Sequence, residues 1–533
     1  MTQPTNGGGI REELAALFRS RHSLLLVVTQ EEERSEKGIA EAAALAQYGV
    51  RVWDCNEGLM DLSGVVVDGN LRDPRELLKV IEKATERFVY ILRDLDEWMD
   101  PVVKRGLRSL GRKLKLSPRE KACSVVLLST SSELPAQLQG DVTVVDYPLP
   151  TRDEMATILD DVLGTLPEET EKAALVNGDR ERVIDASVGL AAEQASNCFA
   201  KSIVSTKDRR IDPAIVANEK KRVISTIKGL TWIDPDPQGL DSVAGLDLWL
   251  EWVMQRKLAL SQKARDYGLP APRGALLVGV PGCGKSLSAK CVPTAWGVPL
   301  IRLDFGAIKA GIVGASESNL RLVWKILEAV SPCILWADEI EKALAGASGP
   351  SGDSGVSEDA LGSFLTWMQE KAGTVFVIAT ANDVSKLPPE LLRKGRFDEV
   401  FFVDLPTEAE RRAVLEVTLR KYGRDLIDVA LKPDVHPAEQ EPGYAYDKLV
   451  TATEGWSSAE IAELVPAGLF RSFADGEREL TVDDLETAAQ GVVPLSKTAQ
   501  EKIADLREWA TSRARPASSK PDQTDSKRRN LDL

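Results

Sequence analysis

The segment Gly279-Val-Pro-Gly-Cys-Gly-Lys285-Ser286 constrains the fold of this chain more than any other. It fits G-x-x-x-x-G-K-[ST], it follows an apolar strand-like run at Ala275–Val278, and helix-favouring sequence comes after it. Strand, glycine-rich loop and helix in that order make a phosphate cradle. Glycines let the backbone wrap phosphate oxygens with its amide hydrogens turned inward. Lys285 is expected to reach the β- and γ-phosphates of ATP, and Ser286 to hold Mg²⁺. Gly279, Pro281, Gly282, Cys283, Gly284 and Leu287 complete the expected nucleotide-binding loop.

A chain organised around such a loop is α/β. Further apolar runs at Leu300–Leu303, Cys333–Ala337, Val375–Ala379 and Val400–Val403 alternate with helical stretches, the pattern of a five-stranded parallel sheet. Ligands of such sheets bind at the carboxyl ends of the strands, and the candidate polar residues fall there. Cys333–Ala337 runs into Asp338 and Glu339. Asp338 is expected to orient Mg²⁺ through its water shell, and Glu339 to polarise an attacking water. The competing reading is an acidic pair facing solvent. Asn382, after Ala379-Thr-Ala, can position that water, although an Asn after a strand is often only a turn former. Arg393 and Arg396 stand three apart on a short turn, from which they can reach a neighbouring subunit's γ-phosphate. The bland alternative is a solvated basic turn.

The 533 residues predict two to four domains, and 43% hydrophobic with 28% charged residues is an ordinary soluble composition. A net charge of −15 argues against a broad nucleic-acid or anionic-membrane surface. The two histidines, His22 and His436, lie far apart, and the six cysteines form no C-x-x-C, so no zinc spacing exists. Scattered single cysteines suit a reducing cytosol. Cys283 is either a tolerated small residue in the loop or a redox control point. The first apolar run, Leu24–Val28, is too short for a signal core or a membrane span. The expected location is cytoplasmic, or the stroma for a plastid-encoded chain.

From about Asp241 to Val493 these motifs resemble the AAA+ ATPases, in the clade whose second region of homology reads A-T-x-N … L-x-R-x-G-R-F-D. The resemblance implies that Asp241-Ser-Val243-Ala-Gly245-Leu brackets adenine. It implies that Thr453–Ile461 opens a lid helix over the nucleotide, with Ala459 at the sensor-2 position and Ser457 as its cap. Gly311–Arg321 resembles the first pore loop, formed at Ile312 and Val313, and protein-threading relatives usually carry an aromatic where this chain has Ile312. Ile offers less contact area than Tyr or Trp, so threading and non-threading both stay open. Gly346–Gly355 lies where a second pore loop is expected. The resemblance implies an Mg²⁺-dependent ATPase that self-associates, as a homohexamer, and remodels a protein client. An ATP-driven assembly scaffold or switch is the alternative, and a nucleic-acid motor is disfavoured by the acidic balance.

The first half reads as a worn copy of the second. Tyr90–Leu95 mirrors Ile334–Glu339, which sets Asp94 on Asp338 and Leu95 on the catalytic Glu339. Val125–Ser132 mirrors Val375–Asn382, with Ser132 for Asn382, and Asp141–Thr151 mirrors Asp398–Thr407. Leu25–Ser35 mirrors Leu276–Ser286, with Glu31, Glu32 and Glu33 where glycines should be. Negative bulk there opposes phosphate binding, so this half is expected to keep an ATPase-like fold without the chemistry. An unrelated α/β domain is the alternative.

The end sequences resemble a narrower family, AAA+ proteins encoded in algal chloroplasts and found in cyanobacteria. The residues carrying this are Thr29–Arg34, Trp232-Ile-Asp, Pro494–Lys497 and Leu506–Ser518. The expected layout is a degenerate α/β domain with its own helical lid over 1–206, then a charged connector over 207–240. The large nucleotide-binding subdomain follows over 241–406, a helical lid over 407–495, a C-terminal helix over 496–516 and a disordered tail over 517–533.

Overall fold

Apolar runs without polar alternation make strands buried on both faces, and such strands belong to parallel sheets covered by helices. The computed structural model describes residues 7–167, 175, 179–309, 315–344, 354–371, 373–393, 395–424 and 442–519. It has two units, Met1–Val223 and Ile224–Leu533, each with its own seven-stranded sheet. No helix among the described residues is long and apolar enough to cross a membrane.

The first unit contains β1 (Leu24–Val28), β2 (Gly49–Asp54), β3 (Gly58–Met60), β4 (Val66–Asp68), β5 (Phe88–Arg93), β6 (Ser124–Ser129) and β7 (Thr143–Asp146). Their order is β4-β3-β2-β5-β6-β1-β7, with β3 and β4 antiparallel and the other five parallel. Successive side chains of β1 serve opposite faces. Leu25 and Val27 pack with Phe18 and Ile39, while Leu24 and Leu26 pack with Leu77 and Leu107. Helices at Arg152–Gly164, Asp179–Ser187, Ala192–Ser205 and Pro213–Ser225 gather around Leu159, Phe199 and Val216.

The second unit contains β8 (Leu230–Ile233), β9 (Gly274–Gly279), β10 (Leu300–Leu303), β11 (Cys333–Ala337), β12 (Val375–Ala381), β13 (Glu399–Val403) and β14 (Arg515–Pro516). The order is β8-β10-β11-β12-β9-β13-β14. All pairs are parallel except β8 with β10. The five strands expected from sequence are β9 to β13. Helices at Glu408–Lys421, Pro442–Ala452, Ser458–Ala474 and Val482–Gln490 enclose a separate core around Leu415, Leu449 and Leu464. The two sheets share five parallel strands in the same spatial order, second-third-fourth-first-fifth by chain position, and the second adds β14.

Two expected boundaries move. The stretch 207–240 is not a bare connector. Ile211 and Val216 are buried with Phe199 in the first unit's helical core, and Leu230–Ile233 pairs with β10 as an edge strand. Nor does a loose tail begin at Ala517. That residue is 1% exposed and its N–H donates to the Phe402 carbonyl at 2.9 Å. Residues 520–533 lie outside the described ones.

Sheet register also corrects the match between the copies. Ser129 pairs with Val28 as Ala381 pairs with Val278, so Thr130, not Ser132, stands where Asn382 does. Arg93 pairs with Leu128, one step earlier, and therefore occupies the place of Asp338. Asp94 then takes the place of Glu339, and the two share a left-handed backbone, with φ 48° and 47°. The helix after β1 ends on left-handed Gln47 as the helix after β9 ends on left-handed Gly297. That puts Ser35 at Lys285 and Glu36 at Ser286.

The substituted residues satisfy one another. Arg93 holds Glu36 with two hydrogen bonds of 2.6 and 2.8 Å and reaches Asp54 at 3.4 Å. Arg34 donates to Glu31 (2.7 Å), the Pro148 carbonyl (2.7 Å) and Glu154 (2.9 Å). Glu31 also accepts the Ala192 N–H at the start of the Ala192–Ser205 helix, at 2.6 Å. Arg93→Ala leaves Glu36 buried without a partner and is expected to destabilise the first unit by about 2–4 kcal/mol. Pairing Arg93→Met with Glu36→Met should recover most of that loss. Urea denaturation followed by circular dichroism measures both, and an unchanged midpoint for Arg93→Ala would count against the cluster as a structural unit.

Candidate functional site

β9 ends on Gly279 at φ 151°, where a Cβ would collide with the Val403 carbonyl of the neighbouring strand. Only glycine lets the chain leave the sheet there. The loop then turns into the Lys285–Trp296 helix, with Gly284 as N-cap and no acidic residue in the first turn. The helix therefore keeps the positive end of its dipole and its free N–H groups at the loop.

Lys285 is 4% exposed, and its Nζ donates to the carbonyls of Gly279 (2.9 Å) and Val280 (2.7 Å). Burial pulls its pKa down to about 8 against the opposing pull of the acidic groups nearby. Ser286 Oγ donates to Asp338 Oδ1 at 2.8 Å, joining the loop to the end of β11. Thr380 Oγ1, from β12, donates to the same oxygen at 2.7 Å and accepts the Glu339 N–H at 3.0 Å. Asn382 Nδ2 donates to Glu339 Oε1 at 3.0 Å, and Lys342 donates to Glu339 Oε2 at 2.6 Å. The Asn382 N–H goes to Glu341 Oε1 at 3.0 Å. Burial pushes the Glu341 carboxyl up, and among the described residues its Oε2 has no partner.

These groups open onto a cleft of about 440 Å³. Val243, Pro281, Gly282, Gly284, Lys285, Ser286, Leu287, Asp338, Glu339, Asn382 and Ala459 line it, together with Val414, Thr418 and Ala462 of the helical region. The Ala459 N–H donates to the Gly282 carbonyl at 2.8 Å, which seats the Ser458–Ala474 helix on the loop. Ser457 caps that helix in a capping box with Glu460.

Some expected residues lie elsewhere. Gly279 and Gly245 are not among the residues that line the cleft. Cys283 is buried beneath the loop, and burial pushes its thiol up to about 12. A thiol held protonated is a poor redox switch, so its packing role is the better account. Arg393, with its side chain 69% exposed, and half-buried Arg396 do not line this chain's cleft. Arg396 Nη1 donates to the Glu390 carbonyl, while its Nε has no partner among the described residues. Ile312 and Val313 lie outside the described residues, as does Gly346–Gly355 except its last two positions.

Four contributors escape the sequence reading. Thr380 precedes Asn382 by two, the strand spacing for a shared face, which is a usable signal. Glu341 reads as an ordinary helical acid and takes its role only from burial. Val414 and Thr418 come from a helix beyond the last parallel strand, with no local pattern that ties them to the loop. The oxygen donors Ser286 Oγ and Asp338 Oδ1, without histidine or thiolate, suit a hard cation such as Mg²⁺.

Residues 275–405 match the ATPase family associated with various cellular activities (AAA). Residues 10–147 and 153–226 match the N-terminal and second domains of SpoVK-like AAA ATPases. The AAA domain-containing protein ycf46 of Trieres chinensis is 33% identical over 517 residues, 96% of this chain and 98% of that one. The ycf46 protein of Guillardia theta is 33% identical over 509 residues, covering 94% and 95%. The ATP-dependent zinc metalloprotease FtsH of Acidothermus cellulolyticus is 34% identical over 237 residues, 44% of this chain and 33% of that protein. With a phosphate loop, strand-end acids and helical region in one unit and near full-length similarity to the two ycf46 proteins, the chain belongs to the AAA ATPase family, in the group of the ycf46 AAA domain proteins.

Proposed function

We propose that this protein is an Mg²⁺-dependent ATPase with one working site per chain, completed by a neighbouring subunit, and that it remodels a protein partner. The observation that carries this reading is the joining of Ser286, Asp338 and Thr380 on one carboxylate oxygen beside the Glu339–Asn382 pair. Lys285 exchanges its two carbonyl partners for β- and γ-phosphate oxygens, and the loop amides take the rest. Val243 and Ala459 flank the base. Ser286 and Asp338 would hold Mg²⁺, which would supply positive charge against the phosphates. Glu339 orients and deprotonates the attacking water, with Asn382 fixing the carboxylate's direction.

Arg393 and Arg396 lie outside their own cleft, which supports a role toward a neighbour's γ-phosphate and hence a ring, as a homohexamer. The overall charge of −15 supports a protein client over nucleic acid. The first unit has Ser35, Glu36, Arg93 and Asp94 at the corresponding positions, which supports its having no hydrolytic role.

Glu339→Gln is expected to lower ATP turnover by roughly 100- to 1,000-fold while ATP binding is retained. Arg396→Ala should abolish turnover alone and regain part of it when mixed with Glu339→Gln subunits; full activity of Arg396→Ala protein would refute the shared site. Because Lys285 titrates near pH 8 and a bound phosphate favours its charged form, binding takes up a proton in alkaline solution. ATP affinity is expected to hold steady near neutrality and to fall from about pH 8 upward, by up to about tenfold per unit. Calorimetry in buffers of different ionisation enthalpy measures the proton uptake directly.

A further inference from the structure

We propose that Glu410 and Ser518 position the base-flanking wall of the cleft, through a C-terminal strap that grips the Val243–Leu246 segment from behind. This rests on reading the cleft as a nucleotide site.

Glu410 is the third residue of the Glu408–Lys421 helix and closes a capping box with Thr407, whose N–H it accepts at 2.8 Å. Its other oxygen accepts the Leu246 N–H at 3.1 Å and the Ser518 hydroxyl at 2.6 Å. Among the described residues no Lys or Arg pairs with it, so these neutral donors balance the carboxylate. Gly245 lies at φ 80°, and a Cβ there would strike the Glu410 side chain. Leu246, at φ 58°, is held in a conformation a branched residue rarely adopts. Two left-handed residues in succession stay put only where something outside the turn fixes them, and the Glu410 carboxylate does so. Ser242, Val243 and Ala244, immediately before them, face the cleft.

The strap completes the arrangement. Arg515 and Pro516 add to the edge of β13 in parallel. The Asp247–Lys257 helix begins on Leu246, which has no side-chain cap to offer. The Ala517 carbonyl accepts the Trp249 N–H at 3.0 Å, and the Ser519 N–H donates to Asp247 Oδ1 at 2.8 Å. The chain's last described residues thus supply the cap the helix lacks. Burial works against the Asp247 charge, but the hydrogen bonds from Ser519 together with the Leu248 and Asp247 N–H groups outweigh it and hold the carboxyl below its usual range. Upstream, Arg507 clasps Asp404 at 2.9 Å, and the Leu495 N–H reaches Glu460 of the lid capping box at 2.9 Å. One C-terminal segment therefore touches the lid helix, the end of β13 and the turn behind Val243.

The test uses the full-length protein and two probes, ATP and inorganic tripolyphosphate, both with Mg²⁺. Their affinity ratio isolates what the nucleoside contributes. Ser518→Glu sets a second carboxylate against Glu410, and Glu410→Gln removes one of its acceptors. Each is expected to lower the ratio about tenfold while tripolyphosphate binding stays within about twofold of wild type. Ser518→Thr keeps the hydroxyl and should restore the ratio. An unchanged ratio in both variants overturns the proposal, as does a parallel fall of both affinities, which marks general damage. A wild-type protein that binds neither probe overturns the reading of the cleft itself, and this proposal with it.

Discussion

Asp338 Oδ1 receives two hydroxyl hydrogens, from Ser286 on the phosphate loop and from Thr380 on β12. Strands β9, β11 and β12 are thereby tied together at their carboxyl ends by side chains. The contact also fixes the Glu339 backbone, because Thr380 accepts its N–H, and the left-handed turn at Glu339 then aims that side chain at Asn382. Two neutral donors on one oxygen leave the lone pairs of the other oxygen for a cation. The ordering of the site thus runs from one oxygen atom outward, and the packing of β9, β11 and β12 exists to hold it in place.

The two units show how one topology carries opposite electrostatics. Strand order and the left-handed turns after the third strand coincide. At the position of the Ser286–Asp338 contact the first unit has the Glu36–Arg93 ion pair, and the lysine position holds Ser35, whose hydroxyl turns back onto the Glu32 carbonyl. Where the second unit leaves donors and acceptors to be met by a ligand, the first meets them with its own side chains. Buried polar groups demand partners, and each unit answers that demand in one of these two ways.

The sequence located residues that share the cleft better than it set the phase between the two halves. Glycine spacing and strand-end acids pointed directly to Lys285, Ser286, Asp338, Glu339 and Asn382, because loop geometry and charge leave few alternatives at those places. Matching the two halves slipped by one or two residues, at Asp94, Ser35 and Ser132. Strands buried on both faces have no polar alternation to pin their register, and only the ladder itself sets it. The edge strands β8 and β14 were illegible because Leu230–Ile233 and Arg515–Pro516 are too short and mixed to stand out from connecting sequence. The cleft's far wall came from Val414 and Thr418, which tertiary packing alone brings to the loop.

One contact separates the mechanics of the two units. In the second, the helical region meets the phosphate loop through the Ala459 N–H and the Gly282 carbonyl, so the joint belongs to the same loop that a ligand would grip. In the first, the Ala192 N–H meets the Glu31 carboxylate, which Arg34 in turn holds against Glu154 and the Pro148 carbonyl. That joint is closed on itself and has no term for occupancy. A ligand on the loop would bear on the joint of the second unit, whereas the joint of the first is already met by its own side chains.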